Sequence, residues 1–193
     1  MADDVGLPGF DQVTEIGRGG FAVVYRAREV ELDRVVAVKL LTGHLDETAR
    51  NRFDRERRAL AALSAHPNVV TIYRSGVADG RAYIVEEFAP EGSLDDRLAR
   101  RGRVSWRDTA DIGAKISDAL AVAHDAGVLH RDVKPANILF SMYGEPMIAD
   151  FGIARMAGTP ATASGVVTAT VVHAPPEVLD GKAPSAASDV YSL

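Results

Sequence analysis

The sequence contains no cysteine. Disulfide cross-links, thiolate metal sites and a cysteine nucleophile are therefore excluded, and a reducing compartment fits. Positive charge is not in excess either: the formal net charge of -5 supplies no basic field for a nucleic-acid backbone or an anionic membrane. Long apolar runs are missing, since none approaches the ~20 residues of a membrane-spanning helix. Residues 1–10 are acidic and lack the basic and apolar stretches of a signal peptide. Together these absences predict a soluble cytoplasmic protein with no nucleic-acid partner and no membrane segment. Lysine is also scarce. Lys39, Lys115, Lys134 and Lys182 are the only four among 22 basic residues, so each lysine position carries information.

With 193 residues, 47% hydrophobic and 25% charged, the chain can form one substantial core or two small lobes. Its character changes near residues 89–93. Before that point strand-like runs dominate, at 13–16, 23–28, 35–41, 69–77 and 82–88. Turn signals such as Gly17-Arg18-Gly19-Gly20 and Ala78-Asp79-Gly80 separate several of them, which predicts an antiparallel sheet. One helix interrupts the strands over about 46–65, with Phe53, Leu60 and Leu63 on one face and Pro67 just beyond its end. After Ser93 the pattern is mainly helical. A short helix opens at Ser93, and a longer one opens at Ser105, closes at Gly127 and buries Ile112, Ile116, Ala119, Leu120 and Ala123. The chain thus reads as two lobes joined around residues 88–92.

Chemistry begins at Gly17-Arg18-Gly19-Gly20-Phe21-Ala22-Val23-Val24. Glycines between two strands let backbone amides approach phosphates without an intervening side chain, although a plain hairpin turn would carry the same pattern. A dinucleotide fold would need a helix next, and 23–28 reads as strand. Lys39 ends an apolar strand, where an ammonium group needs a partner. Glu56 shares a helical stripe with Phe53, Leu60 and Leu63 and could supply one; the alternative is that both side chains face solvent.

The most specific segment is His130-Arg131-Asp132-Val133-Lys134-Pro135-Ala136-Asn137, followed by Ile138-Leu139-Phe140 and Asp150-Phe151-Gly152. With the glycine loop and Lys39, this ordered set resembles the eukaryotic-like serine/threonine protein kinases of bacteria, most closely the Pkn type of actinobacteria. The resemblance implies an α+β, two-lobed fold: a strand-rich N-lobe with one helix over 1–88, a hinge at 89–92, and over 93–193 a mainly helical partial C-lobe lacking its C-terminal helices. It implies ATP and Mg²⁺ (or Mn²⁺) as cofactors, protein serines and threonines as substrates, autophosphorylation, and a place in bacterial signalling. A kinase–kinase dimer is among the assemblies it allows.

By the same resemblance Lys39 holds nucleotide phosphates and pairs with Glu56, and Asn137 and Asp150 hold the metal. Asp132 accepts the proton of the substrate hydroxyl, and Lys134 stabilises the transferring phosphoryl group. Gly17, Gly19, Gly20, Val24, Ala37, Glu87, Ala89 and Leu139 complete the nucleotide site. Ile72, Leu60, Phe151 and His130 form an apolar stack, and Thr170 links the substrate-binding loop to Asp132. Regulation is expected through Thr162 and Ser164, whose phosphates Arg131 could pair.

Three departures stand out. Ala22 replaces the third glycine of the loop, His173 stands where an aromatic residue is usual, and the position before the hinge reads as Glu86, a charge beside the expected adenine. Two alternatives to a kinase remain: an ATP-binding pseudokinase that regulates a partner, and an inactive truncated fragment.

Overall fold

Alternating apolar and polar residues build a sheet in the first half of the chain. The computed structural model describes residues 8–20, 22–43, 63–151 and 171–193, and the chain divides into two units. The first takes the described residues up to 43 together with Thr71–Phe88; the second takes 63–70, 89–151 and 171–193.

In the first unit β1 (Phe10–Arg18), β2 (Ala22–Glu29), β3 (Arg34–Leu41), β4 (Ile72–Ala78) and β5 (Arg81–Glu87) form an antiparallel sheet in the order β1-β2-β3-β5-β4. Successive side chains alternate between faces. One face buries Ala27, Val36, Val38 and Val85, with Phe10, Val13, Tyr25 and Tyr83 packed around them. Their register agrees: Ala27 opposes Val36, Tyr25 opposes Val38, and Val38 opposes Val85. Glu29 ends β2 buried, and its carboxylate is matched by Arg34 at 2.6 Å and Arg74 at 3.2 Å. Asp79 and Gly80, at φ +49° and +72°, make the two-residue turn between β4 and β5. Positive φ at both central residues suits the twist of a hairpin, which is why Asp-Gly reads as this turn in sequence.

The helix expected over 46–65 lies, apart from 63–65, outside the described residues. The strand expected over 69–77 begins instead at Ile72. Val69 and Val70 belong to the second unit, where Val70 N–H donates to Ile148 O at 3.0 Å and Ile148 N–H donates to Asn68 O at 2.8 Å. An apolar run long enough for one strand is thus divided between two pairings.

The second unit opens with α1 (Leu94–Arg101). Ser93 caps it reciprocally: its hydroxyl oxygen accepts from Asp96 N–H, and Asp96 accepts from Ser93 N–H at 2.8 Å. Acidic Asp95 and Asp96 in the first turn and Arg100 and Arg101 in the last complement the helix dipole. Ser105 caps α2 (Trp106–Asp125), whose buried stripe is Ile116, Ala119, Leu120 and Ala123, while Ile112 is half-buried. The hairpin of β6 (Ile138–Phe140) and β7 (Pro146–Ile148) follows, then the short α3 (Pro176–Leu179) and α4 (Ala186–Ser192). Among the described residues no helix is long and apolar enough to cross a membrane.

Candidate active site

The first unit carries the glycine loop and Lys39. Gly17 sits opposite Val24, and Gly19 N–H donates to Ala22 O at 2.9 Å across the turn. Neither glycine has positive φ. Among the described residues other than its chain neighbours, a Cβ added at Gly17 would come no closer than 3.9 Å to an atom, and one at Gly19 no closer than 3.8 Å. The fold of this unit therefore does not itself require glycine at either position. Phe21 lies outside the described residues.

Lys39 lies opposite Val24 on β2 and Ile84 on β5, and is 4% exposed. Its ammonium pairs with Glu86 at 2.5 Å, and Glu86 is itself 4% exposed. Glu56, the partner expected from sequence, lies outside the described residues. Strand parity explains why Glu86 reaches Lys39. Glu86 opposes Ala37 and Ile84 opposes Lys39, so all four side chains share one face, and Glu86 is the diagonal neighbour within reach of a long side chain. Ala37 on this face is buried and Val24 is half-buried. Glu87 follows at the end of β5, its N–H donating to Thr71 O at 2.9 Å.

The second unit carries the loop after α2. Here the backbone is set by a carboxylate far along the chain. Asp189, 1% exposed, accepts from His130 N–H at 2.8 Å with one oxygen and from Arg131 N–H at 2.7 Å with the other. The first oxygen also meets His124 Nε2 at 2.9 Å. Arg131 and Asp150 adopt φ of +71° and +68°, a conformation that costs a non-glycine residue energy and persists only where surrounding bonds hold it.

His130 is buried with its tautomer determined. Asp132 N–H donates to Nδ1 at 3.2 Å, so Nε2 carries the proton and donates to Ala149 O at 2.7 Å. Burial disfavours its charged form and holds its pKa below the ordinary histidine value, against the opposing pull of the Ala149 bond. Phe151 is buried beside it, with ring centroids 4.7 Å apart. Of the expected apolar stack, His130 and Phe151 therefore meet; Ile72 lies in the first unit, and Leu60 is outside the described residues.

Asp132, Lys134 and Asn137 converge. Asp132 Oδ2 accepts from Lys134 Nζ at 2.7 Å and from Asn137 Nδ2 at 3.1 Å, and that amide nitrogen also donates to Asp132 O at 2.7 Å. Asp132 Oδ1 is buried without a hydrogen-bond partner, alone in this respect among the described side chains. Asn137 is held next to the Asp150 strand end, since Ala149 N–H donates to Asn137 O at 2.9 Å. An amide oxygen and a carboxylate are hard donors that suit Mg²⁺, so the residues present fit that ion. Leu139 and Ala89 pack against Val70, Met147 and Ala149. Gly152, Thr162, Ser164 and Thr170 lie outside the described residues.

Sequence reasoning missed three roles, those of Glu86, His124 and Asp189. The contact of Lys39 with Glu86 was legible only as a carboxylate two positions from Ile84 on an apolar strand. His124 gave no signal beyond lying near the end of a helix.

A family profile described as "Protein kinase domain" matches residues 10–193. The chain is 53% identical over 186 residues to serine/threonine-protein kinase PknK of Mycobacterium tuberculosis, covering 96% of this chain and 17% of that protein. It is 40% identical over 185 residues to serine/threonine-protein kinase PknJ of Mycobacterium bovis, covering 92% of this chain and 31% of the relative. To the probable serine/threonine-protein kinase PknB of Lactococcus lactis it is 36% identical over 185 residues, covering 94% and 29%. The chain thus spans less than a third of the length of each of these relatives. With the matched profile extending from the first strand to the last residue, the chain belongs to the protein kinase domain family.

Proposed function

We propose that this domain transfers the γ-phosphoryl group of ATP to serine or threonine hydroxyls of proteins, itself included, in cytoplasmic bacterial signalling. The observation that carries the reading is Asp132: one carboxylate oxygen is engaged by Lys134 and Asn137, and the other is buried with no partner. A buried acceptor costs stability when nothing occupies it, so an unfilled one at this position suits a substrate hydroxyl.

The chain's groups would then divide the work. Without side chains at Gly17, Gly19 and Gly20, phosphate oxygens could approach the loop backbone, and Lys39 would donate to the α- and β-phosphates. On this reading Val24, Ala37 and Leu139 would supply apolar contact for adenine, and the backbone of Glu87 and Ala89 its polar edge. Asp132 Oδ1 would accept the proton as the substrate oxygen bonds to the γ-phosphorus and the bond to the bridging oxygen of ADP breaks. Lys134, already beside Asp132, would stabilise the negative charge on the phosphoryl group in transit. Asn137 and Asp150 would hold Mg²⁺, which supplies charge neutralisation for the phosphates.

Incubation of the chain with Mg·[γ-³²P]ATP and a generic serine/threonine protein substrate tests this. Labelled phosphoserine or phosphothreonine on either protein is expected. Nucleotide binding without any transfer would leave the regulatory-module reading, and absence of both would overturn the assignment.

A further inference from the structure

Glu86 does not belong to the nucleotide machinery assigned above, yet it is buried on the same sheet face as Ala37 and Lys39. We propose that Glu86 is a positioning residue that presents the Lys39 ammonium to the nucleotide phosphates. This rests on the kinase reading and deepens it.

The case starts from strand geometry. Antiparallel register places Lys39 opposite Ile84, and Glu86 lies two residues further along β5 on the same face. The two long side chains meet diagonally, with Nζ to Oε1 at 2.5 Å and both residues 4% exposed. An ammonium taken out of water needs acceptors, and a lysine stem with four rotatable bonds has many positions to lose. Glu86 addresses both needs, whatever other partners Lys39 has. An ammonium carries three N–H donors, so bonding to one carboxylate oxygen does not by itself exhaust it. Because β3 and β5 are hydrogen-bonded neighbours in the centre of the sheet, this restraint is built into the first unit.

Glu86 also carries negative charge toward a ligand that is itself anionic, and this partly opposes binding. The 2.5 Å contact decides the sign: the carboxylate lies directly against the ammonium, so loss of a fixed, charged Lys39 outweighs relief of a longer-range repulsion.

The test is a double-mutant cycle on Mg·ADP affinity, read by titration calorimetry on the whole chain, with Glu86→Met, Glu86→Gln and Lys39→Met. Glu86→Met is expected to weaken Mg·ADP about tenfold. Glu86→Gln keeps the length and an oxygen acceptor, and should recover most of the affinity, to within about threefold of wild type. In the Lys39→Met background the Glu86 substitutions should change the Kd by less than about twofold, because a residue that acts through Lys39 has nothing left to position. If Glu86→Met unfolds the sheet, the glutamine variant decides: a small loss that vanishes in the Lys39→Met background supports the proposal. Wild-type affinity in every Glu86 variant, or the same fold-loss with and without Lys39, overturns it while leaving the kinase reading intact. Failure of the wild-type chain to bind Mg·ADP overturns both.

Discussion

The two units hold their polar and charged groups in different ways. In the first, Lys39 and Glu86 sit on regular strands, and their meeting follows from register alone. In the second, Asp132, Asn137 and His130 sit on irregular backbone beside Arg131 and Asp150 at positive φ, held by side chain-to-backbone bonds and by Asp189. Once two strands pair, their register alone places such a charge. A loop that must aim three polar side chains at one point needs an anchor from elsewhere.

The sharpest way to break that comparison is to remove the group at which the loop is aimed. Asp132→Asn is expected to lower phosphoryl transfer by about 10²-fold or more. Mg·ADP affinity should stay near wild type, since Lys39 and the glycine loop are untouched. Single-turnover transfer and calorimetry on the same samples check this; equal losses in both would mean that Asp132 shapes the fold rather than the reaction.

Asp189→Ala should come next. It leaves two backbone N–H groups and His124 without their acceptor, a cost of about 2–4 kcal/mol on the second unit. Hydrogen exchange should show lost protection around residues 130–137 with β2 and β3 unchanged. Uniform loss across both units would erase the distinction.

A smaller effect should appear with pH. The folded-state pKa of His130 lies below its unfolded value because burial disfavours the imidazolium. Its contribution to stability is therefore complete above the ordinary histidine value of ~6.5 and is lost as pH falls below that toward the folded pKa. Urea melts between pH 8 and pH 5 should show this loss, and His130→Asn should flatten that part of the profile. A profile unchanged by the substitution would place the acid sensitivity elsewhere.

The smallest effect should lie in the sheet. Gly80→Ala puts a Cβ on a residue at φ +72°, and should cost about 1 kcal/mol by thermal melting. The loop from His130 to Asn137 should not respond.

What was readable in sequence follows the same division. The five strands of the sheet, the Asp-Gly turn and the caps at Ser93 and Ser105 depend on residues within a few positions of one another, and periodicity and capping chemistry report them directly. The ordered polar residues from His130 to Asn137 were readable as a motif. Three features were not. The split of 69–77 between two units, the pairing of Lys39 with Glu86, and the double acceptor role of Asp189 depend on which segments become neighbours in space. Glu86 shows this most plainly: alone it looked like an unwelcome charge on an apolar strand, and only the β3–β5 register makes it a counter-ion.

The anchoring of His130 by Asp189 spans 59 residues of chain. During synthesis at roughly 5–20 residues per second, about 3–12 s pass between the emergence of one and of the other. For that interval the backbone amides of His130 and Arg131 lack the carboxylate that accepts from them. The long tether therefore sets an order of assembly: the backbone at His130 and Arg131 gains its carboxylate acceptor only after the helix carrying Asp189 has been made.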